Sequence, residues 1–525
     1  MPIRFVLIVL LVVCLGAAHA ALDQAQPRER RITLSVLEDK IRGGWAGQMI
    51  GVSYGAPTEF RSNGKIILGR LPWTPDRVSN ALRQDDLYVE MTFAETLDRV
   101  GLDASTEQLG EAFKDSKYEL WHANAAARRL LHRGIKAPMS GHPKYNIHAN
   151  DIDFQIEADF IGLMTPGLPQ ESNKLCDRVG RVMNYGDGLY GGMFVCGMYS
   201  ASFFERDVRK VVEAGLACIP PASGYGKLIG DVLDWSARYP GNWKKTWQLI
   251  EQKWNKDDPC TDGALRPFNI DARLNGAYIA LGLLYGKGDF TQTLDVTTRA
   301  GQDSDCNPAN AAGILGVILG YSNIPGGWKA GIPAIADEKF DYTNSSFNDI
   351  VRTTLLRTLK IVEGAGGKVE GQELVIPLQQ AQAADLEQWD MGIPNRRIDP
   401  LEAPWGWQGT WDEEHYWDAD SNGIGARKIA REAGAEATLA FSGVAVALVG
   451  PHRQNGGRAD VYLDGEKAGE IDAFVVERTN DNDLWHTYDL KPGPHTLRIV
   501  TRSDADPRST GRMITIEKAI TYRAR

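Results

Sequence analysis

Two pairs of acids stand at points where this chain turns apolar. In "GQDSDCNPANAAGILGVILGY" (301–321), Asp303 and Asp305 precede a run of small and apolar residues; in "RQDDLYVEMTFAETL" (83–97), Asp85 and Asp86 do the same. Either pair alone reads as acids complementing a helix N-terminus. Brought together, four carboxylates would repel one another unless a cation lay between them. Hard oxygen donors of this kind suit Mg²⁺, with Mn²⁺ or Ca²⁺ as alternatives, rather than zinc. A third segment, "GGWAGQMIGVSYGAPTEF" (43–60), presents Glu59 in a glycine- and proline-bearing loop. A glutamate in a surface turn is the ordinary reading. Held beside a metal site, the same group becomes a general base.

The middle of the chain adds "HANDIDFQIEADFIGLMTPG" and "MNYGDGLYGGMF". Asp153, Gln155 and Glu157, with Asp187 further on, are candidate substrate-binding groups; the alternative for the first stretch is a solvated helix face. Asp153 and Glu157 lie four apart, so a helix puts both on one side. An anionic wall suits a neutral sugar better than a diphosphate. His122, His132, His142 and His148 fall near one another without HxH or HExxH spacing, so zinc is not expected. "GDGLYGG" lacks the lysine and preceding strand of a phosphate loop, and no nucleophile elbow is present.

Elements must position these groups. From about Ile32 to Gly366 apolar residues recur at three- and four-residue steps, with glycine and alanine at many interior positions. Small residues let helix axes approach closely, which suits a compact all-helical body. From Ala437 the period switches to two, and "ADVYLDGEKAGEID" and "WHTYDLKPGPHTLRIVT" read as strands around turns. The expected division is a helical domain at 32–366, a connector at 367–404 whose strands could belong to either side, and a β-sandwich at 405–525. That sandwich looks like the jelly-roll modules appended to carbohydrate-active enzymes, and carbohydrate binding is the reading considered for it. Trp405, Trp407, Trp411 and Trp417 precede its regular strands, able to stack on sugar rings or to pack a core.

Composition bounds the rest. The chain has 525 residues, 43% of them hydrophobic, and a formal net charge of −10, enough for more than one core. The acidic balance argues against nucleic acid as the main partner. "MPIRFVLIVLLVVCLGAAHA" carries a basic residue, an apolar run and a small-residue end, so residues 1–20 read as a secretory signal and the protein as exported, periplasmic or extracellular. Acylation at Cys14 fits poorly after Val-Val. No later segment is long and apolar enough for a membrane span. Cys176, Cys196, Cys218, Cys260 and Cys306 are too scattered to define a disulfide framework.

In their order and separation, "GAPTEF" (55–60), "QDDL" (84–87) and "DSDC" (303–306) resemble the ADP-ribosylglycohydrolase superfamily, which includes dinitrogenase-reductase-activating glycohydrolases. The resemblance covers roughly residues 35–325. It implies an orthogonal all-α fold with a binuclear Mg²⁺ centre that cleaves a glycosidic bond at an anomeric carbon. On that reading Asp85, Asp86, Asp303 and Asp305 are metal-binding acids, and Glu59, Asp86 and Asp303 take part in catalysis. Two positions depart from the family pattern. Gln84 stands where threonine is usual and could offer an amide oxygen to the metal. Cys306 replaces threonine or serine, and its sulfur is too soft for Mg²⁺. Three functions stay open: an exported metal-dependent hydrolase of a carbohydrate or glycoside, an ADP-ribosyl hydrolase acting on protein or nucleotide, and a non-catalytic sugar-binding protein.

Overall fold

The computed structural model describes residues 29–256, 258–418 and 423–525. The segment read as a secretory signal lies outside the described residues. A helical body comes first and a set of antiparallel sheets follows, in agreement with the expected fold class. Six helices carry the functional argument: α1 (Leu34–Gly55), α2 (Asp85–Val100), α3 (His122–His132), α4 (Asp187–Ser202), α5 (Ala272–Gly286) and α6 (Cys306–Leu319).

The helical body is organised around α1 and α6. Gly43, Gly47, Gly51 and Gly55 recur every four residues and so share one face of α1. A Cβ built at each would stand 2.3 Å from Gly316 O, 2.1 Å from Ala312 O, 2.2 Å from Pro308 O and 1.9 Å from Ser304 O, respectively. The two helices therefore run antiparallel with backbone against backbone, a distance only glycine permits. The two helices are buried elsewhere too, at Leu37, Ile41, Trp45 and Met49 on α1 and Ile314 and Leu315 on α6. A helix apolar all round belongs inside a bundle. α4 and α5 show the same texture and complete the interior.

The connector is shared between the two bodies. β1 (Glu29–Thr33), β2 (Lys368–Glu370) and β3 (Glu373–Pro377) form a small sheet in the order β1-β3-β2 that closes the helical body. β4 (Ile393–Ile398) instead joins the C-terminal region. There, β5 (Trp405–Gln408), β6 (Asp412–Asp418), β7 (Gly423–Ala430), β8 (Glu436–Gly443), β9 (Ala445–Val449), β10 (Arg458–Leu463), β11 (Glu466–Asp472), β12 (Asp483–Thr487), β13 (Gly493–Thr501), β14 (Ile514–Ile516) and β15 (Lys518–Arg523) follow. They form sheets β11-β10-β13-β8-β5 and β12-β9-β15-β4, with a smaller β14-β7-β6 sheet beside them. Leu439, Val461, Leu497 and Ile499 from the first sheet and Val446, Leu448 and Ala519 from the second share one core, the arrangement of a sandwich. Trp405, Trp407 and Trp411 pack against that core and against one another, with ring centroids 5.1 and 4.8 Å apart.

The sandwich is joined tightly to the helical body. Ile147 and Ala264 from the helical side enter an apolar cluster with Met391, Ala447, Ile520 and Tyr522. Around it, Tyr522 OH donates to Pro259 O at 2.7 Å, Arg397 to Ala264 O at 2.7 Å, and His486 Nε2 to Pro143 O at 2.6 Å. Arg129 of α3 pairs with Asp481, and both side chains are buried. A buried ion pair fixes geometry more surely than it adds stability.

The α1–α6 contact makes an opposite-sign prediction for two glycines. Gly51→Ala should lower stability by about 1–3 kcal/mol through overpacking. Gly230 lies in the helix Gly224–Arg238 with nothing within 4 Å of its added Cβ; Gly230→Ala should raise stability by about 0.5–1 kcal/mol. Thermal melts of both variants check this, and equal small shifts would contradict the packing.

Candidate functional site

A cavity of about 940 Å³ opens where the C-terminal end of α1 meets the N-terminal ends of α2 and α6. The glycine stripe brings this about: it ends at Gly55, so the loop that follows lies directly on the loop entering α6. Thr58 Oγ1 and Ser304 Oγ are 2.8 Å apart, and Phe60 N donates to Gln302 O at 3.0 Å. Gln302 also ties in a third segment, donating from Nε2 to Pro267 O at 2.9 Å and accepting from Asn269 N at 3.0 Å. Phe60, His122 and Gln302 all hold positive φ (49°, 43° and 54°). Backbone strain of this kind costs about 1–3 kcal/mol per residue and persists where surrounding structure over-determines it.

The two acid pairs converge. Asp303 and Asp305 precede α6, whose N-cap is Asp305 itself, and Asp85 and Asp86 form the first turn of α2 after the N-cap Gln84. Cys306 Sγ donates to Asp86 Oδ2 at 3.3 Å, and Cys306 N donates to Asp303 Oδ1 at 3.4 Å. Asp303, Asp305 and Cys306 present donor atoms that all lie within 4.8 Å of one another. Glu59, Gln84, Asp85, Asp153, Asp303 and Cys306 reach the cavity wall. Asp86 and Asp305 are buried immediately behind it.

The electrostatics of this cluster are unfavourable for bare carboxylates. Burial, then the charges of Asp85 and Asp305, hold the Asp86 carboxyl well above its usual range. Burial, followed by Asp303, does the same to Asp305. Asp303 is pushed up to about 8, chiefly by burial with Glu59 and Asp86 adding to it. Glu59 is also raised to about 8 by the cavity walls and then by Asp305 and Asp85, although its side chain stays open to the water of the cleft. Burial raises the Cys306 thiol as well, so at neutral pH it acts as a hydrogen-bond donor to Asp86 and not as a thiolate ligand.

Among the described residues, Asp86 Oδ1 and Asp305 Oδ1 are buried with no hydrogen-bond partner. Buried charge without compensation costs several kcal/mol per ion, and an orphaned carboxylate oxygen in a native site calls for an ion or water. The residues present therefore fit a hard divalent cation: oxygen donors from Asp85, Asp86, Asp303 and Asp305, with Gln84 beside them.

The middle acids divide. Asp153 lies on the wall, where its carboxylate caps α3 by accepting from Ala123 N at 3.2 Å and Asn124 N at 2.9 Å. Gln155, Glu157 and Asp187 do not reach the wall, contrary to the substrate-binding expectation. Asp153 and Glu157 stand on one side, as their four-residue spacing expects, and both bond to Asn124, Asp153 through its backbone N–H and Glu157 through its side-chain amide; Asp153 alone of the two reaches the wall. Glu157 is buried and takes a hydrogen bond from the Asn124 side chain; Gln155 Oε1 accepts from Tyr225 OH at 2.7 Å; Asp187 accepts from Tyr225 N at 3.0 Å. Glu157 thus braces a lining residue, whereas Gln155 and Asp187 are tied to Tyr225, away from the wall. Trp405, Trp407, Trp411 and Trp417 stand away from its wall.

Sequence reasoning missed four kinds of group here. Trp121 and Asn124 line the cavity at the start of α3. His122 and Asp262 do so as a pair, with Nδ1 3.1 Å from Oδ2. Burial alone would lower the His122 pKa and raise that of Asp262; their mutual hydrogen bond outweighs it, leaving the imidazole raised and the carboxyl depressed. Asn480 and Asn482 arrive from the sandwich. The "TNDND" stretch that carries them is polar and turn-like, and nothing in it points to a cleft in the other domain.

Comparison with known proteins bears on this site. The family model of ADP-ribosylglycohydrolase matches residues 33–355. The chain is 30% identical over 145 residues to the A type blood N-acetyl-alpha-D-galactosamine deacetylase of Flavonifractor plautii, a match covering 27% of this chain and 17% of that protein. It is 36% identical over 104 residues to the A type blood alpha-D-galactosamine galactosaminidase of the same organism, covering 20% of this chain and 9% of that one. The chain thus spans less than a fifth of either curated relative. Among solved structures it is similar to an ADP-ribosylglycohydrolase-related protein complex at 15% identity and a TM-score of 0.40, over 62% of this chain and 98% of that one.

The raised carboxyls predict a pH-dependent stability with a definite sign. Asp303, whose ordinary pKa is 3.8, rises to about 8 on folding. In chelator it therefore contributes stability at low pH that is lost as pH climbs toward 8. The melting temperature in EDTA should fall from pH 5 to pH 8, and added Mg²⁺ should raise it most at pH 8. A Mg²⁺ response that is absent at pH 8 would contradict a cation among these acids.

Proposed function

The chain belongs to the ADP-ribosylglycohydrolase family, and from that premise we propose that it is a hydrolase that cleaves a glycosidic bond of a carbohydrate or glycoside with a divalent cation at the Asp85–Asp86–Asp303–Asp305 cluster. The observation that carries this reading is the convergence of two distant acid pairs at the wall of a 940 Å³ cavity, with Asp86 Oδ1 and Asp305 Oδ1 buried and unpartnered. That volume lies near the upper end of small-molecule sites, about 300–1,000 Å³. The carbohydrate-acting names of the curated relatives lend support, limited by the short stretches they share with this chain.

A cation bound there supplies Lewis-acid polarisation of substrate oxygens. The remaining work falls to the chain's own groups. Glu59 faces the cleft from a loop pinned to Ser304 and Gln302, and its raised pKa suits a group that moves a proton at the reacting oxygen. Asp303 and Asp85 stand on the wall, where they hold and orient; Asp86 acts from behind it, steadied by the Cys306 thiol. Asp153 fixes the first turn of α3 and thereby the Asn124 amide at the cleft. Phe60 and Phe268, with ring centroids 4.9 Å apart, provide apolar faces of the kind that sugar rings stack on.

A second reading, hydrolysis of an ADP-ribosyl bond, draws on Arg83 and Arg266, two guanidinium groups on the same wall that suit a diphosphate. The export reading rests on the pattern of residues 1–20 alone; no helix among the described residues is long and apolar enough to cross a membrane.

Turnover of aryl glycosides of galactose and N-acetylgalactosamine, in both anomeric forms, should be measured beside that of an ADP-ribosylated peptide, with Mg²⁺ and with EDTA. Glycoside turnover that EDTA and Asp303→Ala both abolish is the expected result, with Glu59→Gln lowering kcat by about 10²–10⁴-fold. Turnover of the peptide alone selects the second reading. Turnover indifferent to EDTA and to Asp303→Ala overturns the metal assignment, and glycan binding without turnover selects a non-catalytic protein.

A further inference from the structure

The cavity wall carries two groups of different chemistry. In one, Glu59, Asp85 and Asp303 gather around the helix termini. In the other, Trp121 and Asp262 from the helical body meet Asn480 and Asn482 from the segment before β12 of the sandwich, and His122, bonded to Asp262, lies between the two, its charge acting on Glu59 and Asp85. A single sugar ring at the acids fills only part of a space of about 940 Å³.

Resting on the glycoside reading above, we infer that Asn480, Asn482 and Trp121, with the His122–Asp262 pair, form a subsite for a second sugar ring, so that the sandwich is a wall of the active site.

The segment is held for such a role. Asn480 Nδ2 donates to Leu120 O at 2.9 Å and to Glu119 Oε1 at 3.2 Å. Asn482 Nδ2 donates to Asp262 Oδ1 at 3.2 Å, while its Oδ1 accepts from Thr261 Oγ1 at 2.8 Å. Between them, Asp481 is buried against Arg129. The sandwich thus grips both segments that build this part of the wall, 119–122 and 261–262. Each amide has two donor and two acceptor positions. The described bonds use two in each, so Asn480 keeps its carbonyl oxygen and Asn482 one donor and one acceptor position for a ligand.

The ligand chemistry follows from the groups. Amides, a carboxylate and an imidazole on a fixed frame hydrogen-bond to adjacent hydroxyls, and Trp121, 41% exposed, offers a ring face beside them. Orientation is set in advance: His122 sits at φ 43°, tied to Asp262, which is tied to Asn482. A neutral polyhydroxyl ring satisfies such a wall without bringing further charge into the cleft.

The test uses the full chain and the variants Trp121→Ala, Asn480→Ala and Asn482→Ala. Turnover is compared on a galactosyl or N-acetylgalactosaminyl fluoride, which carries one ring, and on a disaccharide of the same glycone; glycan retention is read separately on an oligosaccharide array. Each variant should lose about tenfold or more in kcat/KM on the disaccharide and less than about twofold on the fluoride, with array retention falling in parallel; a tenfold loss corresponds to about 1.4 kcal/mol. Trp121→Ala and Asn480→Ala leave the Asp262 brace untouched, so a folding defect in Asn482→Ala does not decide the outcome. Equal losses on both substrates, or none, overturn the subsite while leaving the glycosidase reading intact. A wild-type protein that turns over neither substrate, yet retains oligosaccharides on the array in a manner the variants abolish, overturns the glycosidase reading and upholds the subsite.

Discussion

Backbone contact between α1 and α6 is the constraint on which the rest of the molecule depends. Four glycines spaced one helical turn apart let two buried helices touch along their length, and the last of them, Gly55, lies against the Ser304 carbonyl. That contact sets the height at which the loop carrying Glu59 meets the loop carrying Asp303 and Asp305. Side chains between the helices would push the axes apart, and the Thr58–Ser304 and Phe60–Gln302 hydrogen bonds could not form. Because protein interiors are close-packed, such a shift would not be absorbed locally.

Stability and chemistry oppose each other at the point this contact creates. A core of Ile, Leu, Val and aromatic residues supports a cluster of carboxylates with two oxygens that no group among the described residues satisfies. Like charges in a low-dielectric site repel strongly, and each raised carboxyl records that repulsion together with its burial. The divalent cation proposed for this cluster would remove the conflict by replacing mutual repulsion with shared attraction. The Cys306 thiol is compatible with this arrangement because it donates a hydrogen bond to Asp86 and leaves the ligation to oxygen.

The sandwich alters how the two-part architecture should be understood. Its core is separate, yet its contact with the helical body combines an apolar cluster, carbonyl-directed hydrogen bonds and a buried arginine–aspartate pair. Those contacts fall on segments 119–148 and 258–266, which also build part of the cleft wall. Fold likeness by itself carries no chemistry; here the relevance of the sandwich comes from two asparagines on the cavity wall.

What the sequence by itself determined follows from short-range rules. Helical periodicity, the glycine stripe, the switch to a two-residue period and the placement of acids at helix starts depend on neighbours within a turn or a strand, so the helical body, the sheet region, Asp85–Asp86, Asp303–Asp305 and Glu59 were legible in it. The connector remained open because its strands pair with β1 at the far end of the chain and with β15 near the other end. Of the middle candidates Asp153 lines the cavity while Gln155, Glu157 and Asp187 do not, because helical spacing gives the side a residue stands on but not how deep the packing around it sets it. The His122–Asp262 pair and Asn480 and Asn482 became visible only in the folded chain. The place of Asn480 and Asn482 is fixed by how two separately packed cores dock, and the His122–Asp262 contact by packing between distant segments of the helical body; no periodicity encodes either.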